Sequence, residues 1–446
     1  MKQSLNRSLV FAFIFAILWS AGCKDEIYQP LTATLKLTVE DTRVTEAVLQ
    51  VKATVETAPW KLLIQRNGQT AYLSPEINRA AIDTTIEDDW LSPNQSYVYK
   101  AYYLFNLTVV DSSLPVATTT MDTTSGNYTW QMFTLGDGYS EGFRDVAIIS
   151  DTSVWATGQI FVDTGGTVPD EYNAAKWDGK DWKLIKVPVR LQYATSVLVT
   201  DQDPIVSVFA PTPNDVWFVS NAGGVTRYLD TSWVMMDIPY NQGPGGGAKK
   251  IWGDDSSDMY IGAGNGVLTR FNGTSWQELE SGTTLDIQDI WGGINSATGN
   301  LEILAVAADP YTSYDRTILK ISGTTVTTLS DSGIQYPLSG VWFSPGKLYC
   351  VAGYEFYQKN NPYDSSAWKG NLISYYLYAL RGSALNDMVV TGDYGYILHF
   401  NGVGWRLYLP ATYLENGWNM SVATKGDLIV AVGMNNEYGV ITMGKR

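Results

Sequence analysis

The stretch from Lys249 to Leu279 constrains the fold more than any other part of the chain. It reads as four short strands joined by tight turns: Ile251-Trp252, Met259 to Gly262, Val267 to Phe271 and Ser275 to Leu279. Asn272-Gly273 between the last two is a hairpin signal, because both residues accept a positive φ. One such unit cannot bury its own apolar faces. A chain that repeats it can, by stacking the copies radially as a β-propeller.

The rest of the chain supplies copies. The first runs from Phe143 to Val187, with Trp177-Asp178-Gly179-Lys180-Asp181-Trp182 as its hairpin, and the second from Ile205 to Ile238 with Asp215-Val216-Trp217. The Lys249 unit is the third. A fourth begins at Ile287 with Asp289-Ile290-Trp291-Gly292 and lacks a closing Trp; a fifth begins at Leu338 with Val341-Trp342. A sixth runs from Tyr376 to Leu409 with Phe400-Asn401-Gly402 before Trp405, and a seventh from Met420 to Met443. The seventh stops after its third strand. Tyr128 to Phe133 matches Thr274 to Leu279, so a strand around Trp130 is predicted to complete the seventh unit and leave no open sheet edge. The count is seven, or six or eight if the fifth unit is misregistered, since only Trp368 marks its outer half.

Abundant Trp (16) and Tyr (28), 41 Gly and 17% charged residues suit such an all-β chain. The net charge of −15 disfavours nucleic acid, and no basic patch is visible to offset it. One His and two Cys exclude a metal site built from several of either, and no cofactor is expected. Trp252, Trp291 and Trp342 share one register, and Trp182, Trp233, Trp276 and Trp405 another; both sets read as packing. His399 stands where Arg270 stands in the third unit, with Arg227 close to that register, which suggests a structural role between strands. Cys350 reads as a small buried side chain.

These repeats, D-I-W-G, then D-x-Y, then G-x-L-x-x-F-N-G-x-x-W, resemble a bacterial propeller repeat class across residues 125–446. The resemblance is specific for fold and weak for function.

Ahead of the repeats, Leu35, Leu37 and Val39, then Ala47, Leu49, Val51, Ala53 and Val55, alternate with polar residues as half-buried strands do. Leu91-Ser92-Pro93 followed by Tyr97, Tyr99 and Ala101 resembles the end of a fibronectin type III domain, where Tyr97 would form the tyrosine corner. Residues 32–124 are expected to form this sandwich, acting as a spacer or docking module.

Lys2 and Arg7, the apolar run Leu9 to Trp19 and the small residues Ser20, Ala21 and Gly22 before Cys23 form an export signal over residues 1–22. It resembles a bacterial lipoprotein signal, although Ser20 stands where Leu is usual. The resemblance implies lipid on Cys23 and a tether over residues 23–31. Lys24-Asp25-Glu26 resembles the surface-export signal of Bacteroidetes-type lipoproteins. The implied location is the outer membrane, lipid-anchored and exposed at the cell surface.

Alternating strand directions put the long segments at one end of the ring. They carry Tyr172, Tyr311, Tyr314, Tyr354, Phe356, Tyr357, Tyr363, Trp368, Tyr413 and Trp418 as candidate ligand-binding aromatics. The leading expectation is a non-catalytic surface protein that binds an extracellular ligand there, most plausibly a glycan. One alternative is a glycosidase using two carboxylates from Asp163, Asp170, Glu171, Asp309, Asp315, Glu355 and Asp364. The other is a protein-interaction scaffold. No catalytic residue is assigned.

Overall fold

The computed structural model describes residues 33–192, 197–236, 246–309, 313–372 and 375–446. Cys23 with the expected export signal, and Tyr311, lie outside them. The described residues are all-β apart from one 3₁₀ turn, Gly264–Gly266. They divide into two compact units, a smaller one drawn from residues up to Val116 and a larger one containing everything from Ala117 to Arg446.

In residues 33–119, Ala33–Thr42, Ala47–Val55 and Ala81–Asp88 form a three-stranded sheet. A five-stranded sheet holds Gln69–Leu73, Lys61–Arg66, Ser96–Phe105 and Thr108–Ser112, with Val116–Thr119 pairing on Ser96–Phe105. The alternation legible in the sequence is the burial pattern of these strands. The Tyr97 hydroxyl accepts the Ser92 N–H at 2.9 Å, five residues upstream. Trp60 is buried edge-on to Tyr103 and donates its indole N–H to the Arg79 carbonyl.

The larger unit contains seven four-stranded antiparallel sheets among the described residues: I (142–185), II (205–236), III (248–279), IV (287–329), V (338–372), VI (377–407) and VII (417–445 with Thr129–Leu135). The first strand of each sheet packs on the first strand of the next, and that of sheet VII returns to that of sheet I. Thr129–Leu135 pairs with Tyr438–Lys445, Trp130 standing opposite Gly444, so an early strand and the last one share a sheet.

Burial follows from this stacking. A sheet with a neighbour on each face must be apolar on both, and the second strands Asp215–Ser220, Leu348–Gly353 and Asp387–Gly392 are buried at every residue. The tryptophans that open units cross between sheets. A Cβ added at Gly292 of sheet IV would lie 2.4 Å from the Trp252 ring of sheet III, and one at Gly382 of sheet VI 2.7 Å from the Trp342 ring of sheet V. Gly292, which follows the D-I-W motif, and Gly382, at the matching position of sheet VI, are therefore seats for an indole of the preceding sheet.

Sheet V departs from the expected register. Its third strand, Glu355–Lys359, is separated by Tyr354 alone from the second, which ends at Gly353, and the long connection, 360–368, lies between strands three and four. That moves Tyr363 and Trp368 to the opposite end of the sheet from the expected face. Phe356, Tyr357 and Trp368 are each at most 3% exposed, packed in the core between sheets. Rings buried this way have no face for a ligand, which removes all three from the candidate site.

Candidate functional site

Each first strand carries one register shift near its start. The shifts fall between Phe143 and Asp145, Ile205 and Ser207, Ala248 and Lys250, Ile287 and Asp289, Leu338 and Gly340, Leu377 and Ala379, and Asn419 and Ser421. A bulge leaves one residue unpaired and re-aims its side chain. The seven unpaired residues are Arg144, Val206, Lys249, Gln288, Ser339, Tyr378 and Met420, and all seven line one central cavity of about 780 Å³. The backbone thus offers one variable side chain per sheet to a shared space. The turn residues Asn221 and Ala222 and the inter-sheet residues Gly247 and Asp286 also line it, so it opens at the end expected to hold the long loops.

Below this ring the residues one step further on form buried ion pairs. Asp145 accepts from Ser207, Ser421, the Val208 N–H and Lys250, the last at 2.7 Å. Burial pushes its carboxyl up, but Lys250 and the two hydroxyls outweigh burial and hold it below the usual carboxylate range. Asp289 takes both Nη atoms of Arg381, at 2.7 and 2.8 Å, and the Val341 N–H. Lys249 lies 3.2 Å from Asp286 near the mouth. Each cavity carboxylate is therefore held by a cation. Arg144 is exposed and has no ion-pair partner among the described residues.

A tyrosine arc leaves the cavity across sheets VI and V. Tyr376 and Tyr378, both cavity-lining, are 4.9 Å apart at their ring centroids; Tyr354 is 4.7 Å from Tyr376, and Tyr336 is 5.7 Å from Tyr354. Tyr375 packs on Tyr394 and Tyr396 beside them. Tyr336, Tyr354, Tyr375 and Tyr394 are all exposed. Of the expected aromatics, only Tyr354 belongs to this arc. Tyr314 and Tyr413 are exposed in their connections. Tyr172 is half-buried under Lys186, 5.1 Å from its ring centroid. Tyr363 is exposed against Tyr349, away from the mouth. Trp418 is half-buried, its backbone bridged to Asp393.

Five of the seven expected carboxylates are engaged by other groups of the protein, and the Asp309 N–H bonds the Asp315 carbonyl. Asp170 bonds Lys186 and Glu171 bonds Gln159, while Asp364 bonds Lys359 at the far end. Asp309 accepts from Ser313, while Asp163 bonds the Gly165 N–H. Among the described residues, no group of three His, Cys, Asp or Glu side chains is placed to hold a metal ion. Cys350 is fully buried and its thiol is pushed well up by burial.

His399 belongs to a different repeated feature. Its Nε2 lies 2.7 Å from Asp387 Oδ1, as Arg270 Nε lies 2.7 Å from Asp258 and Arg227 Nε 2.6 Å from Asp215, always twelve residues apart across strands two and three. Asp387 also receives Ser383 and both Nη atoms of Arg446. Burial raises its carboxyl, but His399, Arg446 and Ser383 outweigh it and hold it at about 2. The sequence showed the shared register of His399, Arg270 and Arg227 but not their Asp partners, although the twelve-residue spacing is present there; the bulged residues carry no such signal.

Ring contacts, antiparallel four-stranded sheets and a central cavity define a β-propeller-like protein. Similar solved structures include YCF48 bound to D1 peptide, with a TM-score of 0.51 and 17% identity over 73% of this chain and 100% of that one. YCF48 from Cyanidioschyzon merolae has a TM-score of 0.47 and 11% identity, covering 70% of this chain and 98% of that one. A catalytically inactive virginiamycin B lyase from Staphylococcus aureus with quinupristin has 0.48 and 11%, covering 71% and 100%. At these identities the likeness concerns the fold. No protein-family model matches the sequence, and no curated protein matches it either.

Proposed function

We propose that this is a non-catalytic binding protein that seats an extended segment of a partner protein across the cavity mouth and along the tyrosine arc. The arc carries the reading. Tyrosine brings a large, rigid, amphipathic contact surface at low entropic cost and is enriched where proteins bind proteins. Several of these rings meet near edge-on, at 68° for Tyr354–Tyr376 and 78° for Tyr376–Tyr378. Such packing covers ring faces that a sugar would need for stacking and turns edges and hydroxyls outward. A propeller of this fold holds a peptide in YCF48 bound to D1 peptide. The carboxylates in the cavity are engaged by Lys250, Arg381 and Lys249, which speaks against a pair poised for glycoside hydrolysis.

The larger unit is read as a seven-bladed propeller closed by Thr129–Leu135, supported by the seven sheets and their cyclic contacts. The smaller sandwich is read as fibronectin type III-like, supported by its two sheets and the Tyr97–Ser92 bond. The sequence around Cys23 supports a lipid-anchored protein on the outer membrane, facing outward.

The test is selection of a displayed random-peptide library on residues 24–446, beside electrophoresis through polysaccharide gels. Enriched peptides that lose binding to Tyr354→Ala and Tyr376→Ala variants are expected. No enrichment, with retardation in one polysaccharide gel abolished by the same variants, would replace this reading with glycan binding, which the exposed Tyr314 and Tyr413 also suit.

A further inference from the structure

The seven bulged positions are not chemically neutral. None is acidic and two, Arg144 and Lys249, are cations. The cavity as a whole is lined by four cations, Arg144, Lys249, Lys250 and Arg381, against three carboxylates. This excess sits in a chain of net charge −15. Charges more than about 8 Å away are largely screened at physiological salt, so the local balance decides what enters.

The lining also shows which group is left to bind. The Gln288 amide donates to the Ala308 carbonyl at 3.1 Å. The Ser339 hydroxyl donates to the backbone, at the Leu377 carbonyl. Tyr378 hydrogen-bonds Asp393. Lys250 and Arg381 are committed to Asp145 and Asp289. Arg144 sits at the mouth, exposed, with no ion-pair partner among the described residues, and its guanidinium is shaped to take a carboxylate through two parallel N–H bonds.

We infer that the central cavity is an acidic-peptide site: a carboxylate of the partner segment enters the ring of bulged residues and is held by Arg144, with Lys249 adding positive charge, while the flanking residues lie along the tyrosine arc. This rests on the peptide-binding reading above and adds the charge of the ligand and the residue that selects it. The bulge that exposes Arg144 exists in all seven sheets, but an unpartnered cation occupies it only in sheet I among the described residues.

The test uses a random-peptide library displayed on phage, selected in parallel on the wild-type protein and on Arg144→Glu. The wild type should enrich Asp- and Glu-containing peptides, and Arg144→Glu should shift the enrichment toward Lys and Arg. A synthetic peptide from the wild-type selection, followed by fluorescence anisotropy, should bind Arg144→Ala about tenfold or more weakly, as loss of a charge-assisted bond implies. Arg144→Lys should retain part of the affinity, and added salt should weaken the wild type more than Arg144→Ala. Because Arg144 is exposed, circular dichroism should show every variant folded. Enriched peptides with no charge bias, bound equally by Arg144→Ala yet lost in Tyr376→Ala, would overturn this inference and leave peptide binding standing. A library that enriches nothing on either protein would overturn both. Retention of a polyuronate by the wild type but not by Arg144→Ala, with no peptide enriched, would overturn the polypeptide as the source of the carboxylate.

Discussion

Two features repeat around the ring, and they repeat in opposite ways. Between strands two and three, sheets II, III and VI keep the chemistry constant: an Asp holds an Arg or His twelve residues on. At the starts of the first strands, all seven sheets keep the backbone constant and vary the side chain: Arg, Val, Lys, Gln, Ser, Tyr, Met. Constant chemistry closes each interaction inside the protein. A constant backbone with varied side chains builds a shared surface whose composition is free to suit a ligand. The difference separates scaffold from site without any alignment.

The comparison breaks most readily at Asp387. Its carboxylate faces the fully buried His399 and the largely buried Arg446. Asp387→Ala should destabilise the protein by about 3–5 kcal/mol, because it strands buried partners; urea unfolding measures it. A loss below 1 kcal/mol would mean that the lock is decorative. The pH dependence has a definite sign. A carboxyl held at about 2 when folded, against an ordinary value near 3.9 unfolded, contributes stability that is present above pH ~4 and is lost as pH falls toward 2. Asp387→Asn should flatten acid unfolding across that window.

Next comes the closing strand. Trp130 packs on Tyr408 with centroids 4.8 Å apart, and also on Tyr128. Trp130→Ala should cost about 3 kcal/mol, the low end for aromatic truncation because the ring is half-buried. An unchanged unfolding midpoint would sever that strand from the ring's stability. The lock in sheet II is more exposed, with 21% of the Arg227 side chain open to solvent, so Asp215→Asn should cost only about 1 kcal/mol.

The smallest effects on stability belong to the bulged ring. Gln288→Ala and Met420→Ala remove half-buried side chains that line the cavity, Gln288 with one hydrogen bond to the Ala308 carbonyl, and each should shift stability by about 1 kcal/mol or less. Both should nevertheless alter the peptides selected by the protein. Stability losses as large as that of Asp387→Ala would make the ring part of the scaffold.

Much of this fold was legible. The Asn-Gly turns, the D-I-W-G starts and the stray outer strand around Trp130 are local patterns, and each finds its place in a sheet. Sheet V was misread because it lacks the F-N-G-x-x-W hairpin. A single residue, Tyr354, joins its second and third strands, so the long connection fell at the wrong end. The site was less legible for two physical reasons. A bulge is one extra residue in a strand, which changes no composition, and its seven side chains share no chemistry. In the tyrosine arc Tyr376 and Tyr378 are close in sequence, but Tyr354 and, through it, Tyr336 meet them only once sheets V and VI stack. The net positive lining had the same cause: its four cations come from the first strands of sheets I, III and VI, and only Lys249 and Lys250 are adjacent in sequence.

The most direct measurement is hydrogen–deuterium exchange of the protein with and without a peptide taken from the wild-type selection. Slowed exchange should appear in the first-strand starts around Arg144, Lys249, Gln288, Ser339 and Tyr378 and in the turns holding Tyr354 and Tyr376. The opposite turns, around Asp215, Asp258 and Asp387, should be unchanged. Protection confined to those opposite turns would contradict the assignment of the bulged ring as the site.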